Sequence, residues 1–517
     1  MLNPAVSSHP YSLSETLERF LTTLRQMTVG KSVRVGGLRG AAQAYFLSQW
    51  FVRTPTPTLC VLPSSQTAET FADDLRFFLG VEKAALQQLF LYPAWDVPAF
   101  EGVSPSSEIL AAQVEGLYAL ASLPAPLIVT TIDAIAQRVM PQEDFFTATK
   151  MLRVKQEVSL SDLVEHLTQW GYRRVPLVEE KGEISVRGGI VDVFPPLAMQ
   201  PLRIEFLGDT VDSLRTFDPA SQRSLEPIEE FTFLPMRFFS VARLQASRRG
   251  VEEALADSEA KQREQQRISE NFKSGLPFPG VEFFLPYLYS SLESFEDYLP
   301  RGTVVWIPEP ATVQAECANF ADRILSCATQ AQEAGHLVPP PDALYLRPDA
   351  TWKQLRSRVT VELPVLETTE TEFLVTQDSH LDLKPILHAR GGEGGLAPLV
   401  ERVHRWQDER MSVFLAVSSV LQASHLQNLL LGHDLRLPVT PAWRVDENPS
   451  AVIVVGPLSH GFTLPGDGLV FLSEEEIFGE RRHRRRSRPR PVADYLTGLS
   501  QLTVGDYVVH IDHGVGH

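Results

Sequence analysis

Three groups of residues in this sequence have types and spacings that could do chemistry. The first is the stretch "VGGLRGAAQAYF", where Gly37 and Gly40 follow a short β-branched run and lead into an Ala-rich segment. A strand, a glycine loop and a helix start, in that order, can cradle a phosphate on backbone N–H groups. A working loop of the form G-x-x-x-x-G-K-[ST] needs a second glycine to wrap the phosphate. It also needs a lysine for the β/γ oxygens and a hydroxyl for Mg²⁺. Counted from Gly37, those three places hold Ala42, Gln43 and Ala44. Gln43 can donate a hydrogen bond but brings no charge, and Ala44 offers a metal nothing. The residues alone leave two readings open: a former phosphate site stripped of its chemistry, or a plain strand-to-helix turn. Gly30-Lys31-Ser32 also spells G-K-S, but Arg25 stands where the first glycine should be. Leu13, Leu17, Phe20, Leu21 and Leu24 fall at helical spacing behind a Ser12/Glu15 capping pair, so Gly30 reads as a helix end.

The second group is an arginine run: Arg481, Arg482, Arg484, Arg485, Arg486, Arg488 and Arg490. Such a run is a solvated tether or an electrostatic patch for nucleic acid or an acidic partner. The third is a scatter of carboxylates and histidines. Asp192 and Glu205 pair only in sequence. His510 and His513 have no cysteine or third ligand nearby, so no metal site is expected. His460 reads as structural.

The elements that position these residues alternate between helical and strand periods. "TLCVLPSS" and "PLIVTTID" are apolar runs suited to buried parallel strands, separated by helices such as "TAETFADDLRFFLG". Residues 1–140 thus predict an α/β unit of RecA-like or Rossmann-like type. Residues 141–225 predict a small α+β insertion, one helix followed by short strands with turns at Gly188-Gly189, Pro195-Pro196 and Gly208-Asp209. Residues 226–340 return to helices, including one long charged helix at "SRRGVEEALADSEAKQREQQRISENF", and add a strand at "GTVVWIPEP". The Pro-rich stretch that follows predicts a linker at 341–359. Residues 360–478 predict a second α/β unit, 479–497 an Arg-rich linker and 498–517 the first strands of a small β-barrel. A strand cannot bury its apolar face alone, so the chain is expected to be a fragment of something longer.

Composition bounds the function. The chain has 517 residues, room for about three or four domains. Its formal net charge of −17 argues against a broad DNA-coating surface. Three scattered cysteines (Cys60, Cys317 and Cys327) without a C-x-x-C point to a reducing compartment, the cytoplasm. No apolar run reaches membrane length, and the first residues lack a signal-peptide pattern.

Four blocks then carry a resemblance. "YPAWDVPAFEGVSPSSEILAAQVEGLYAL", "VRGGIVDVFPP…RIEFLGDTVDSLRTFDPASQRSL", "GFTLPGDGLVFLSEEEIFGERRHRRR" and "LTVGDYVVHIDHGVGH" stand in the order found in bacterial transcription-repair coupling factors. The second block is shared with the excision-repair protein UvrB. The resemblance implies a UvrB-like module over about residues 1–340, with the α+β insertion as the part that binds UvrA. A non-catalytic α/β domain follows, then the start of the domain that contacts the RNA polymerase β subunit. In this family ATP and Mg²⁺ belong to later motor domains that translocate on double-stranded DNA, and a C-terminal regulatory domain covers the UvrA surface. The resemblance implies no cofactor in this part, a monomer, no membrane, and a glycine loop that is a degenerate Walker A. For the UvrA interface it points to Arg173, Arg187, Phe194 and Arg203, since arginine with an aromatic is the usual composition of a binding hot spot. UvrB clamps DNA with a long Tyr-rich hairpin. The corresponding stretch, Tyr92 to Leu117, is short, acidic and poor in aromatics, unsuited to base stacking. The alternative reading is a UvrB-like, damage-verifying ATPase, against which the missing lysine at position 43 speaks.

Overall fold

The computed structural model describes residues 12–256, 260–365, 371–380, 396–444 and 451–479, and the backbone of two further strands, β21 (Val508–His510) and β22 (Gly514–Gly516). It divides into two compact units, residues 1–479 and 480–517. In the second unit β21 and β22 pair antiparallel. The arginine run and His513 lie outside the described residues.

The first unit is built on a seven-stranded sheet. Its spatial order is β15 (Phe373–Leu374), β1 (Ser32–Gly36), β14 (Val359–Leu363), β13 (Val304–Pro308), β2 (Thr58–Leu62), β4 (Leu127–Thr131) and β3 (Leu89–Tyr92). Every neighbouring pair is parallel. All five residues of each of β2, β4 and β13 are buried, which is why these strands read as largely apolar runs rather than alternating ones. The expected α/β class is therefore present.

One boundary is corrected. Residues 341–359, expected as a linker, form helices Pro341–Leu344 and Pro348–Arg356, with Leu344 and Leu355 buried. The strand that follows, β14, does not open a new domain. It inserts next to β1, pairing Ser32 with Thr360. The prolines cap helices here instead of extending a tether. Glu362, 1% exposed, locks this closure through Nε of Arg34 at 2.7 Å and through Arg356. The long charged helix also divides, into Arg248–Ala256 and Gln262–Ser274, each anchored by two buried apolar residues.

The second α/β sheet runs β17 (Val439–Thr440), β18 (Ala451–Val455), β16 (Ser412–Val417), β20 (Leu469–Leu472) and β19 (Phe462–Leu464). Only β19, at the edge, is antiparallel. This sheet does not hang from a tether. Helices Ala41–Arg53 and Ser65–Leu79 lie between the two sheets, and ten of the thirteen residues in the first are buried, so it is apolar on every side. Tyr45 and Phe78 meet Trp443, Phe462 and Phe471 there, with ring centroids 5.4–6.1 Å apart. The Trp443 indole N–H donates to the Phe78 carbonyl at 3.1 Å. Asp467 crosses the same junction and accepts from the backbone N–H of Leu13 at 2.5 Å and of Ser14 at 2.9 Å, capping helix Leu13–Gln26 from outside.

Asp74 is a third bond across this junction. It is 2% exposed and accepts from the Ser459 N–H at 2.8 Å and its hydroxyl at 2.6 Å. Burial pushes its pKa up to about 7; the Ser459 hydrogen bonds pull it down, and neighbouring Asp73 pushes it up. An unfolded aspartate titrates near ~3.9. Between those values the folded chain holds the extra proton, so stability falls as pH rises from about 4 to about 7, then levels. Asp74→Asn removes that slope. Denaturation midpoints at pH 5 and pH 8 should show the variant gaining on the parent at the higher pH. A parallel pair of profiles would contradict this.

The α+β insertion is a six-stranded sheet in the order β11 (Ser224–Pro227), β10 (Thr210–Phe217), β9 (Leu202–Leu207), β8 (Ile190–Val193), β7 (Glu183–Arg187), β6 (Arg173–Arg174). It is antiparallel except for β6 beside β7. A small ribbon, β5 (Lys150–Arg153) with β12 (Glu230–Phe233), extends the unit beyond the expected end at residue 225. Ile184, Val191, Val193, Leu202, Ile204 and Leu214 fill the inner face against helix Leu160–Gln169.

Candidate partner-binding face and the closed glycine loop

Because strand side chains alternate, fixing the inner face of this sheet also fixes the outer one. Register places Ser185 opposite Asp192, Asp192 opposite Arg203, and Arg203 opposite Arg215. Glu183, Ser185 and Arg187 therefore share the outer face with Ile190, Asp192, Arg203 and Glu205. Phe194 continues that row past β8, its backbone bonded to Glu183 and Gly182. Arg173 pairs with Glu183 across β6 and β7. The four residues expected from sequence thus lie on one face.

Their surroundings differ. Asp192, 2% exposed, sits between two arginines. It takes Nη2 of Arg187 at 2.5 Å, and Nε and Nη2 of Arg203 at 2.7 and 3.0 Å. The Arg203 guanidinium lies 4.8 Å over the Phe217 ring, and its hydrogen bond to Asp192 holds it more firmly protonated than usual. Arg173 bonds Oε1 of Glu183 at 2.6 Å, while Oε2 of Glu183 takes the N–H groups of Glu179 and Glu180. Phe194 is half-buried. Asp192 was legible only as one of two unrelated carboxylates. The signal that places it is the strand period, which aligns 185, 187, 190, 192, 203 and 205. Glu205 bonds Ser213 instead, at 2.7 Å.

The glycine loop has a different fate. Gly37 has φ 87°, and a Cβ there would lie 1.9 Å from the Val375 carbonyl oxygen. Val375 itself donates to Gly36, continuing β15 along β1. The Arg39 N–H, a donor that a phosphate oxygen would need, goes to the Gln377 carboxamide oxygen at 2.7 Å. Gln43 is buried and donates to the carbonyls of Leu38 and Leu363 at 3.1 and 3.3 Å. Ala42 and Ala44 are fully buried. From the second sheet, the Cβ of His460 lies 3.8 Å from where a Gly40 Cβ would be. The loop thus carries Gln43 and Ala44 where a phosphate loop has its cation and hydroxyl, and Val375 and Gln377 pack against it. Gly30-Lys31-Ser32 enters β1 instead of leaving a strand, so it is no phosphate loop.

The Tyr92 to Leu117 stretch is likewise packed down. Tyr92 and Phe100 are buried, and Trp95 donates to Gln113 at 3.0 Å. Trp95 and Phe100 meet Phe283, and Tyr92 meets Phe295. Tyr92 and Phe100 belong to a core, and Trp95 packs against it. Among the described residues no group of His, Cys, Asp and Glu could hold a metal ion, and no helix is long and apolar enough to cross a membrane.

Residues 151–239 match the family model of the UvrB interaction domain. The whole chain aligns with a transcription-repair-coupling factor of Myxococcus xanthus at 30% identity, covering 45% of that protein. Its counterparts in Escherichia coli K12 and Bacillus subtilis 168 are 26% and 24% identical over 96% and 94% of the chain, covering 43% and 42% of their lengths. The chain thus spans less than half the length of the curated relatives it matches. From end to end it resembles the corresponding part of a transcription-repair-coupling factor, with its arginine-bearing sheet inside the match to the UvrB interaction domain.

Proposed function

We propose that this chain is a non-catalytic adaptor of transcription-coupled nucleotide excision repair, whose six-stranded sheet recruits UvrA to RNA polymerase stalled at a lesion. One observation carries the reading: the sheet that matches the UvrB interaction domain displays Arg173 and Arg187 on its outer face. Arginine there suits carboxylates on a partner. In the whole protein the residues from about 498 onward would begin the polymerase β-subunit contact, and ATP-driven translocation on double-stranded DNA would reside elsewhere. The protein would act as a cytoplasmic monomer. The arginine run is a candidate for nucleic-acid or partner electrostatics.

The test is a calorimetric titration of this chain with UvrA, beside an Arg187→Ala/Phe194→Ala variant. Binding by the parent and its loss in the variant support the adaptor. Absence of binding by the folded parent refutes it.

The second reading, a damage-verifying ATPase, separates cleanly. With DNA present, the adaptor releases no phosphate from ATP. Gln43→Lys with Ala44→Ser stays inactive too, because Val375 and Gln377 still cover the loop. Phosphate release by either protein would favour the ATPase.

A further inference from the structure

The arginines on the outer face are unequal in what they have left to offer. Arg203 is spent: Nε and Nη2 are on Asp192, Nη1 donates to the Gln222 carbonyl at 3.2 Å, and the side chain is only 15% exposed. Arg187 is 51% exposed and commits only Nη2, to Asp192. No hydrogen bond from its other guanidinium N–H groups to the described residues accompanies this one. A free arginine carries rotamer entropy that a partner must freeze. An arginine already pinned at one nitrogen loses less on binding and keeps its planar fork for a bidentate carboxylate.

Asp192 can do the pinning only because it is doubly countered. A carboxylate at 2% exposure with one half-exposed cation would be poorly compensated. Arg203, stacked on Phe217, supplies the second cation, so the trio remains net positive toward a partner. We propose that Asp192 is a positioning residue, which with Arg203 holds Arg187 oriented to receive an acidic side chain of the docking partner. Arg203 is then a support and not a contact. The same device recurs on the neighbouring strand, where Glu183, fixed by two backbone N–H groups, holds the 68%-exposed Arg173.

This role rests on the reading of the face as the UvrA contact, and the experiment separates the two. UvrA affinity and melting temperature are measured for the parent, Arg187→Ala, Asp192→Asn and the double variant. Asp192→Asn is expected to weaken UvrA about tenfold. The double variant is expected to bind no more weakly than Arg187→Ala alone, since a residue that acts through another adds nothing once that other is gone. Additive losses, or wild-type affinity in Asp192→Asn, overturn the positioning role while leaving the docking face intact. Wild-type affinity in Arg187→Ala overturns the face and this role together. Should Asp192→Asn fold poorly, Asp192→Glu keeps the charge and moves it by one methylene. It too is expected to weaken UvrA in the parent and to have no effect in Arg187→Ala, and an equal loss in both backgrounds overturns the role.

Discussion

If the arginine-bearing face is the UvrA contact, Arg187→Ala is expected to lower the affinity for UvrA roughly thirtyfold while the melting temperature barely moves. The first half follows from exposure and orientation: a pinned, half-exposed guanidinium is the kind of group whose truncation costs about 2 kcal/mol at an interface, and ~1.4 kcal/mol is tenfold. The second half follows from what remains. Without Arg187, Asp192 still holds Arg203 through two hydrogen bonds, so no buried charge is stranded. The lost pair is half-exposed, of a kind worth about 0–1 kcal/mol to folding. The backbone pairing of Arg187 with Ile190 does not depend on its side chain. Titration calorimetry and a thermal melt on the same sample decide it. Parent-like affinity would remove Arg187 from the interface, and a large drop in melting temperature would make it a structural residue.

Trp443→Ala destabilises the first unit by about 3–5 kcal/mol, the range for a large aromatic cut out of a packed core. Trp443 is 6% exposed and touches Tyr45, Phe78, Phe414 and Phe471, so it is wedged between the second sheet and the helices of the first. Its removal also leaves the Phe78 carbonyl without its indole donor. Trp443→Phe keeps most of the ring volume and should cost distinctly less. Chemical denaturation gives the magnitude, and hydrogen exchange gives the place: protection in residues 412–417 and 469–472 should fall before that of β2 and β13. A loss below about 1 kcal/mol would mean that the two sheets are held together elsewhere.

Much of the architecture was legible in local pattern, because local pattern encodes burial. β2, β4 and β13 are mostly apolar and buried throughout since both faces are covered, and the strands of the insertion alternate in residue type since only one face carries the apolar core. Pattern does not encode which strand lies beside which. Val359–Leu363 reads as a strand, yet nothing within it says that its neighbour is Ser32–Gly36. The prolines around residue 340 looked like a tether because helix-capping and extended prolines look alike in sequence. On the candidate face, residue type points to the arginines, but only register puts Asp192 between Arg187 and Arg203. In sequence the glycine loop shows only what it lacks. What closes it, Gln377 and Val375, lies more than 300 positions away along the chain.

The adjacency of β1 to β14 also bears on birth order at the ribosome. Arg34 and Glu362 lie 328 positions apart. At roughly 5–20 residues per second, β1 emerges and waits some 15–65 s for the strand beside it. The insertion, whose strands pair with near neighbours, can finish folding inside that interval. The arginine-bearing sheet would thus mature on the nascent chain well before its parent sheet closes.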